Sequence, residues 1–418
     1  MSSLSWLAYS EAERKRTLDV IHLLGEPQTV DSLGFGRIRD AISDTLFPGT
    51  STIQTRARYF LFVPWIYRDL ERRSPLPDVD RRARAAEGRL IESLVRGTRE
   101  AEGDDSGIIG TRARQGLATL PSAIYWQGLA SWGIRRYPGA IPSYHSLLRR
   151  ADLRHPALDD DGEPLPGSPP PNWDPHLPDQ PDDMLDATTL ELRLEEAEYL
   201  FERITTNHPT STLAEFLEAH AELFQAPYPW DLPDAARSAI SPRNCERLAQ
   251  AELFSLVANG AALIYNHMLA QAAERSDLEA EYRQRFVEWA AEVEAQHRRL
   301  EAWHQGIDEL WELVGAVNPR APGPLEKRFV LDWSGHAVGP DPASLIDDEG
   351  VRELIANREY RLKRSNARLR NRTALEAWKG ASGSERLGFR WGLVQRLLAD
   401  IRGALPASRG APEEVGVA

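Results

Sequence analysis

The sequence contains a single cysteine, Cys245, among its 418 residues. A lone cysteine excludes a disulfide framework and a cysteine-rich zinc site, and it suits a reducing compartment. The N-terminal stretch MSSLSWLAYSEAERKR also lacks the basic start and the continuous apolar run of a signal peptide. These absences predict a cytoplasmic protein.

Long hydrophobic runs are scarce as well. The apolar run Tyr59–Tyr67 has nine residues, whereas a helix needs about 20 residues to cross a bilayer. A longer stretch, Ala251–Ala273, is interrupted by four polar residues, Glu252, Asn259, Asn266 and His267, and by Gly260. We interpret it as a buried helix of a globular domain, and we expect no membrane partner.

Signatures of several common catalytic chemistries are missing too. The chain has no Gly-x-Ser-x-Gly elbow, no Gly-x-Gly-x-x-Gly loop after a strand, no Cys-x-x-Cys pair and no kinase catalytic loop. This argues against an α/β-hydrolase, a cofactor-dependent oxidoreductase and an NTPase. We therefore expect no cofactor, and we assign no metal site.

Heptad spacing is the clearest positive pattern. Positions 282, 286, 289, 293, 296, 300, 303, 307, 310 and 314 follow a 4-3 spacing and are apolar at every step except Gln296. Such a long helix needs a partner, and the helix predicted over 243–275, with Ser241 and Pro242 at its start, is the nearest one. We expect an antiparallel hairpin inside a bundle, with an intermolecular coiled coil as the alternative.

Proline and aspartate crowd the stretch from Pro156 to Pro181, PALDDDGEPLPGSPPPNWDPHLPDQP. That composition prevents regular secondary structure and predicts a linker or surface loop. The stretch KRFVLDWSGHAVGP is expected to form a short strand and turn. The overall prediction is a mainly α-helical protein of two domains. The N-terminal helical domain, over 1–155, is built around a helix 51–73 that is kinked at Pro64, and a linker follows over 156–182. The C-terminal helical domain covers 183–410 and has a basic end, and the tail over 411–418 is expected to be disordered.

Charge is distributed unevenly along the chain. The net charge is −13, but residues 351–409 hold fourteen Lys or Arg against five Asp or Glu, which leaves −22 for the remainder. Within Asn357–Arg372, four arginines are spaced three, four and four residues apart and would share one helical face. Nearby aromatic residues could stack on bases. The predicted nucleic-acid-binding residues are Arg358, Arg361, Lys363, Arg364, Arg368, Arg370 and Arg372.

The basic segment has a second interpretation. A solvated basic face, or one paired with acidic helices of the same chain, would show the same spacing. A protein with an acidic surface would also fit such a face. The spacing alone does not separate these readings.

The stretch FPGTSTIQTR at 47–56 suggests a weaker anion site. It has one glycine and no lysine, so it is not a phosphate-binding P-loop. Thr50, Ser51 and Thr52 would stand at the N-terminus of the predicted helix 51–73, with Arg56 one turn further on, and such a helix end can hold an anion. The alternative is that these residues only cap a helix that packs in the core.

Candidates for hydrolytic chemistry are sparse. Arg-x4-His spacing, used by some helical nucleases, occurs at Arg203–His208 and Arg150–His155, at a frequency that chance explains. Glu-x-x-His pairs, the ligands of helical metal sites, occur at Glu294–His297 and Glu301–His304, but both lie on one predicted helix and fit the polar flanks of the seam equally well. Loop-like aspartates that could serve a nuclease are Asp332, Asp341, Asp347 and Asp348.

Four phrases of the sequence resemble a known family when they are taken together. They are LFPGTSTIQTRARYFLFVPWIYRDLE, SAIYWQGLASWGI, ALEAWKGASG and FRWGLVQRLLADI. The chain is similar, over essentially its whole length, to a family of bacterial proteins of unknown function, and the first phrase is the most specific. The family has no established activity, so the resemblance carries over no catalytic residue. It implies a setting in mobile or antiphage gene clusters, beside helicase-like and nuclease-like proteins.

The preferred function from sequence is a non-enzymatic cytoplasmic component of a bacterial defence or DNA-transaction assembly. It would contact the phosphate backbone of nucleic acid through the basic C-terminal helix. One alternative is a protein–protein scaffold whose basic face docks on an acidic partner. A second alternative is a helical nuclease, either metal-dependent or built on Arg and His, and the sequence leaves open whether the chain is an enzyme.

Overall fold

A computed structural model describes residues 31–111, 117–150, 171–219, 226–317 and 322–406. These ranges hold sixteen α-helices and no β-strand, which confirms the predicted mainly α-helical fold. Before the gap at 151–170 lie α1 (Gly36–Leu46), α2 (Tyr59–Arg72), α3 (Val79–Glu100), α4 (Pro121–Ser131) and α5 (Ile141–Arg150). After it lie α6 (Leu194–Asn207), α7 (Thr212–Glu218), α8 (Asp234–Ser238), α9 (Pro242–Ala272), α10 (Ser276–Ala295), α11 (His297–Gln305), α12 (Asp308–Val317), α13 (Pro324–Ala337), α14 (Glu349–Lys363), α15 (Arg372–Glu376) and α16 (Trp391–Ala404).

Helix α9 is the centre of the second half. Its N-cap is Ser241, whose Oγ accepts the amide of Asn244 at 3.4 Å, and Pro242 follows at the first helical position. The helix is long and apolar enough to cross a membrane, yet its most apolar window is entirely buried in the core. A helix that is apolar on all sides packs against neighbours on all sides. The buried helix predicted over 243–275 is therefore confirmed.

Helices α9 and α10 form the predicted antiparallel hairpin. Near the turn, His267 Nδ1 lies 3.2 Å from the carbonyl oxygen of Glu279. Further along, Trp289 Nε1 donates to the carbonyl of Leu256 at 2.8 Å. The residue number of the contact falls from 267 to 256 on α9 while it rises from 279 to 289 on α10. The two helices therefore run in opposite directions.

The heptad seam is buried, but it does not lie on one continuous helix. All nine apolar seam positions between Tyr282 and Val314 are buried. Helix α10 ends before Gln296 and α11 ends before Gly306, so three helices share the seam. At the first break the Gln296 amide oxygen accepts from Arg299 at 2.7 Å. The expectation of internal packing is confirmed, and the expectation of one long helix is wrong because the polar residue is used to end a helix.

Residues 327–337 are helical rather than a strand, and a turn follows at 338–340. The helical residues lie in α13, which starts with Pro324 at its first position. The carboxylate of Glu326 accepts the amide of Gly323 at 2.8 Å and so satisfies a donor at the helix start. The prediction of a strand at 327–340 is wrong because this Pro-x-Glu start was not recognised.

Apolar side chains from both halves of the chain share one core. The buried cluster runs from Leu33 to Leu405, with α1 packed on α12 and α16 packed on α6. Of the predicted linker 156–182, residues 156–170 lie outside the described ranges. In its described part, Trp173 is buried and its Nε1 donates to Tyr144 at 2.9 Å. The predicted tail over 411–418 also lies outside the described ranges.

A buried carboxyl joins α3 to α4. Glu87 is fully buried, and its two oxygens accept from the amide of Ser122 at 2.8 Å and from the Ser122 hydroxyl at 2.7 Å. Burial raises the pKa of Glu87 from 4.5 to about 7, although these two bonds oppose the rise. The native protein therefore holds a proton on this side chain at pH values where the unfolded chain has lost it.

We expect Glu87→Gln to remove a pH dependence of stability. Between pH 4.5 and about 7 the native state binds more protons at this site than the unfolded state, so its contribution falls as the pH rises. The full shift corresponds to at most about 3 kcal/mol. The melting temperature of the variant minus that of the native protein should therefore become more positive from pH 5 to pH 8, because only the native protein loses stability at this site. Glu92→Gln, at an exposed position of α3, should give a flat difference, and a flat difference for Glu87→Gln would contradict the prediction.

Candidate functional site

The segment before α2 is not helical, contrary to the expectation of a helix starting at residue 51. Helix α2 begins at Tyr59. The Tyr125 hydroxyl accepts the amides of Thr55 at 2.8 Å and Arg56 at 3.1 Å, and Asp400 Oδ2 accepts the amide of Ala57 at 2.8 Å. Side chains from α4 and α16 thus accept the amides of residues 55–57, which the predicted helix would have used in its first turns. The helix N-terminus that the predicted anion site required is absent at this position.

Thr50, Ser51 and Arg56 of that predicted anion site have internal partners, although the buried Ser51 hydroxyl itself has no hydrogen-bond partner among the described residues. Thr50 Oγ1 donates to the carbonyl of Phe47 at 2.7 Å, and the amide of Ser51 donates to Gln54 Oε1 at 3.1 Å. Arg56 forms a two-pronged ion pair with Asp400, whose oxygens lie 2.8–2.9 Å from its nitrogens. Thr52 lines the cleft described below. The charge of Arg56 therefore serves to hold α16 against this turn.

The basic segment does not form one helix. Helix α14 ends at Lys363, and Arg364 follows with a left-handed φ of 52°. The buried carboxylate of Glu359 then accepts the amides of Arg368 at 2.8 Å and Leu369 at 3.1 Å. These bonds turn the chain back on α14. The predicted single face is wrong because the helix is broken between its first and last arginines.

Three of the seven predicted nucleic-acid-binding residues point into the protein. Arg358 is buried, donates from Nε to the carbonyl of Leu33 at 2.8 Å, and lies over the ring of Phe329. Lys363 and Arg368 donate to two buried serine hydroxyls of the cleft. These three cations are part of the internal structure.

The other four are exposed, and we call Arg361, Arg364, Arg370 and Arg372 the arginine patch. Within the described ranges, the side chains of Arg361 and Arg364 have no hydrogen bond and no ion pair. Arg370 stacks over Tyr360 at 4.3 Å and donates to Asn357 at 2.9 Å. Among the residues that the structure describes, the Arg372 side chain pairs only with the exposed Glu376 of its own helix, at 3.5 Å.

Elsewhere in the basic region, arginines pair with acidic residues of the same chain. Arg386 bonds both oxygens of Glu292 on α10, at 2.8 and 2.9 Å. Arg390 bonds Asp44 on α1 at 2.7 Å. Pairing within the chain therefore explains part of the positive charge between 351 and 409, but it does not include Arg361 and Arg364.

Arg203 and His208, the first Arg-x4-His candidate, do not form a joint site. Arg203 bonds Asp174 at 3.1 Å, whereas His208 Nε2 lies 2.8 Å from the carbonyl oxygen of Ser131 and 2.9 Å from its hydroxyl. Burial lowers the pKa of His208. The second candidate pair includes His155, which lies outside the described ranges.

The carboxylate and histidine candidates are also dispersed. The helix break at Gln296 divides the first Glu-x-x-His pair, because Glu294 lies on α10 and His297 begins α11. In the second pair, His304 Nδ1 lies 2.8 Å from Ser334 Oγ. Asp332 pairs with Arg328, Asp347 pairs with Arg283, and Asp348 caps α14. No group of three or more metal-ligating side chains is found among the residues that the structure describes.

Sequence reasoning missed an open cleft between the segment 31–39, helix α9, the loop 382–390 and the start of α16. Its volume is about 420 Å³. Two serines line it, and their hydroxyl oxygens are 2.7 Å apart, although Ser32 and Ser382 are separated by 350 residues. Lys363 Nζ donates to Ser32 Oγ at 2.8 Å, and Arg368 donates to Ser382 Oγ at 2.9 Å. We call Ser32, Ser382, Lys363 and Arg368 the serine–lysine cluster.

The local sequence holds Ser32 in place. Asp31 accepts the amides of Gly34, Phe35 and Gly36 at 2.7–2.9 Å and thereby caps α1. Gly34 has a φ of +78°, and a Cβ on it would lie 2.4 Å from the guanidinium of Arg358. This turn therefore requires glycine and leaves Ser32 facing the loop that carries Ser382.

Polar residues of α9 hold the loop of Ser382. Asn266 donates to the carbonyl of Ser382 at 2.9 Å, and Asn259 donates to that of Ser384 at 2.9 Å. Both asparagines are buried in an otherwise apolar helix. Their presence as interruptions of the apolar run was the one sequence signal that could have pointed to this loop.

The environment of Lys363 disfavours its charged form. Burial lowers the pKa of Lys363 from 10.5 to about 8, and the nearby Arg368 guanidinium acts in the same direction. The Glu359 carboxylate, 3.9 Å away, and Asp31 oppose the shift. A lysine in such a setting exchanges its proton near neutral pH, which the exposed arginines of the patch do not do.

Comparison with known proteins identifies a family without an assigned activity. Residues 1–404 match the family of unknown function DUF6361. No curated protein matches the chain, and no solved structure matches it. The matched range includes all four phrases on which the resemblance was based, and it covers nearly the whole sequence. The chain therefore belongs to this family of unknown function, DUF6361.

Proposed function

We propose that the protein is a nucleic-acid-binding component of a bacterial defence or DNA-transaction assembly in the cytoplasm. In this proposal the arginine patch contacts the phosphate backbone. The observation that carries it is the pair Arg361 and Arg364, which are exposed and have no acidic partner in the described ranges. Because the chain as a whole is acidic, with a net charge of −13, uncompensated cations favour a localised anionic partner.

The chemistry of the patch suits phosphate. A guanidinium group stays charged at all physiological pH values and offers a planar set of donors that matches phosphate oxygens. Contacts of this kind fix a protein on nucleic acid without reading its sequence. The patch should therefore bind with little sequence preference and with strong salt dependence.

An aromatic ring lies within the patch. Tyr360 is partly exposed, and Arg370 covers one of its faces at 4.3 Å. A tyrosine beside arginines can stack on an unpaired base, since every base has a π face. We accordingly expect single-stranded nucleic acid to bind more tightly than a duplex.

Charge reversal in the patch tests the proposal. Fluorescence anisotropy with labelled single-stranded DNA, duplex DNA and RNA over a salt series would compare the native protein with Arg361→Glu/Arg364→Glu. We expect affinity to fall steeply with salt for the native protein, and to drop at least about tenfold in the variant. The salt slope should decrease by about two, one for each phosphate contact removed.

A matched control separates a local site from the effect of net charge. Arg89→Glu/Arg96→Glu makes the same charge change at two exposed positions of α3 and should leave binding nearly unchanged. Equal losses in both double variants would show that the patch is not the site. If none of the three nucleic acids binds at low salt, the proposal fails, and the scaffold alternative with an acidic protein partner replaces it.

A further inference from the structure

The cleft has features of a reaction site that the proposed function does not use. The hydroxyls of Ser32 and Ser382, which line a space of about 420 Å³, are hydrogen-bonded to each other, and Lys363, outside this lining, donates to Ser32. We propose that this cleft is a second functional site, where Ser32 is the nucleophile of an acyl-transfer reaction on an ester or amide and Lys363 is its general base. This departs from the sequence expectation of a non-enzymatic protein.

The donors of the serine–lysine cluster define the direction of its hydrogen bonds. Arg368 has only donors, so Ser382 Oγ accepts from it and can give its own proton to Ser32 Oγ. Ser32 then points its proton at Lys363 Nζ whenever that nitrogen is neutral. In this arrangement the Ser32 proton has an acceptor, and Arg368, acting through the Ser382 hydroxyl, stabilises the negative charge that develops on Ser32 Oγ as its proton leaves.

Lysine can act as a base only when it has lost a proton. Burial and Arg368 lower the pKa of Lys363 to about 8, while Glu359 and Asp31 act against this. The ring of Tyr265 lies 5.9 Å from Nζ, and its hydroxyl bonds Glu359. A substantial fraction of Lys363 is therefore neutral slightly above physiological pH, which is the range in which a general base works efficiently.

The reaction balances with water as the only co-reactant. Ser32 Oγ attacks the carbonyl carbon, and its proton moves to Lys363 Nζ. The alcohol or amine leaves with that proton, and the acyl group stays on Ser32 as an ester. Water then gives a proton to Lys363 and attacks the ester, which releases the acid and returns the proton to Ser32 Oγ.

Access to the serines limits the substrate. Ser32 and Ser382 line the cleft, but only 3% and 2% of their surfaces are exposed. A slender, unbranched acyl group would reach them, whereas a bulky one would not. Small activated esters are thus the appropriate first substrates.

A fluorophosphonate probe tests the assignment on the full-length native chain. Serine attacks its phosphorus and fluoride leaves, so an activated serine gains a stable adduct that mass spectrometry locates. We expect one adduct, on Ser32, with a labelling rate that rises with pH and reaches half its maximum near the Lys363 pKa of about 8. Since the position is read on the native chain, this result does not depend on any variant folding.

Variants then test the roles within the serine–lysine cluster. Ser32→Ala should abolish the adduct, and Lys363→Met should slow labelling about 100-fold or more and remove its pH dependence. Ser344→Ala and Lys379→Met, at exposed positions outside the cleft, should label like the native protein. No adduct on the native chain at pH 9, or an adduct on Ser382 or elsewhere instead of Ser32, would overturn the proposal.

Discussion

Arg58→Ala is expected to destabilise the protein by about 3–5 kcal/mol, because it leaves a buried carboxylate without its counter-ion. Arg58 is 4% exposed and its partner Glu196 is 1% exposed. The guanidinium bonds both carboxylate oxygens, at 2.9 and 2.8 Å. Thermal or urea unfolding followed by circular dichroism would measure the loss.

The pair connects two helix starts, which adds to the expected effect. Arg58 immediately precedes α2 and also donates to the carbonyl of Thr189 at 2.8 Å. Glu196 lies in the first turn of α6 and accepts the amide of Arg193 at 3.0 Å. Removing the arginine therefore loosens the beginning of α2 and the beginning of α6 together.

A surface pair near the end of the same helix provides the control for Arg58. Arg73 and Asp69 are 3.0 Å apart and largely exposed, so Arg73→Ala should cost no more than about 1 kcal/mol. The double change Arg58→Met/Glu196→Leu should recover much of the stability, since no charge remains buried. Equal costs for Arg58→Ala and Arg73→Ala would show that the buried pair contributes no more than a solvated one.

Two glycines of α3 are expected to respond to alanine with opposite signs. A Cβ on Gly97 would lie 2.2 Å from the carbonyl oxygen of Thr188 and 2.6 Å from its carbonyl carbon. These are backbone atoms, so the segment after Met184 would have to move, at a cost of about 1–3 kcal/mol or more. A Cβ on Gly88 would meet nothing within 4 Å, and alanine there should stabilise the helix by about 0.5–1 kcal/mol.

Denaturant unfolding of the two variants gives a direct comparison. Both changes add one methyl group to the same helix, so differences in helix propensity cancel. A destabilised Gly97→Ala beside a stabilised Gly88→Ala would establish that the close approach of α3 to residue 188 is required for stability. If both variants were stabilised, the backbone at Thr188 would have to move away from position 97 without a loss of folding free energy.

The sequence was sufficient to predict helices and buried residues where local capping signals and the hydrophobic pattern agree. Helix α9 was predicted because Ser241 and Pro242 mark its start and its length is apolar. The heptad positions correctly identified which residues face the core. The break at Gln296 was not predicted, because periodicity shows which face is buried and not whether the backbone continues past a polar residue.

The remaining errors come from side chains that are distant in sequence. The start of α2 was placed too early because Tyr125 and Asp400, 70 and 343 residues away from their partners, accept the amides before it. The basic segment was read as one helix because nothing local showed that Glu359 would accept two amides beyond its end. Tertiary hydrogen bonds determined the backbone in both places.

In the candidate sites, too, the sequence predicted what depends on local spacing and missed what depends on distant contacts. Spacing identified a cluster of arginines, and four of the seven residues are exposed. It did not show that Lys363 would donate to Ser32, because that contact spans 331 residues. Ser382 lies in the phrase ALEAWKGASG, but no catalytic motif includes either cleft serine, so only the folded chain shows that the two are paired.

The bond between Arg56 and Asp400 also has a consequence for the making of the protein. The two residues are 344 positions apart, and a ribosome adds about 5–20 residues per second. The turn before α2 therefore waits on the order of 20–70 s for the carboxylate that binds Arg56 and the amide of Ala57. Trp391, which packs on Phe47 and Phe216, is equally late. During that interval the nascent chain exposes aromatic surface, so its yield in a cell should depend on chaperones that bind it before synthesis ends.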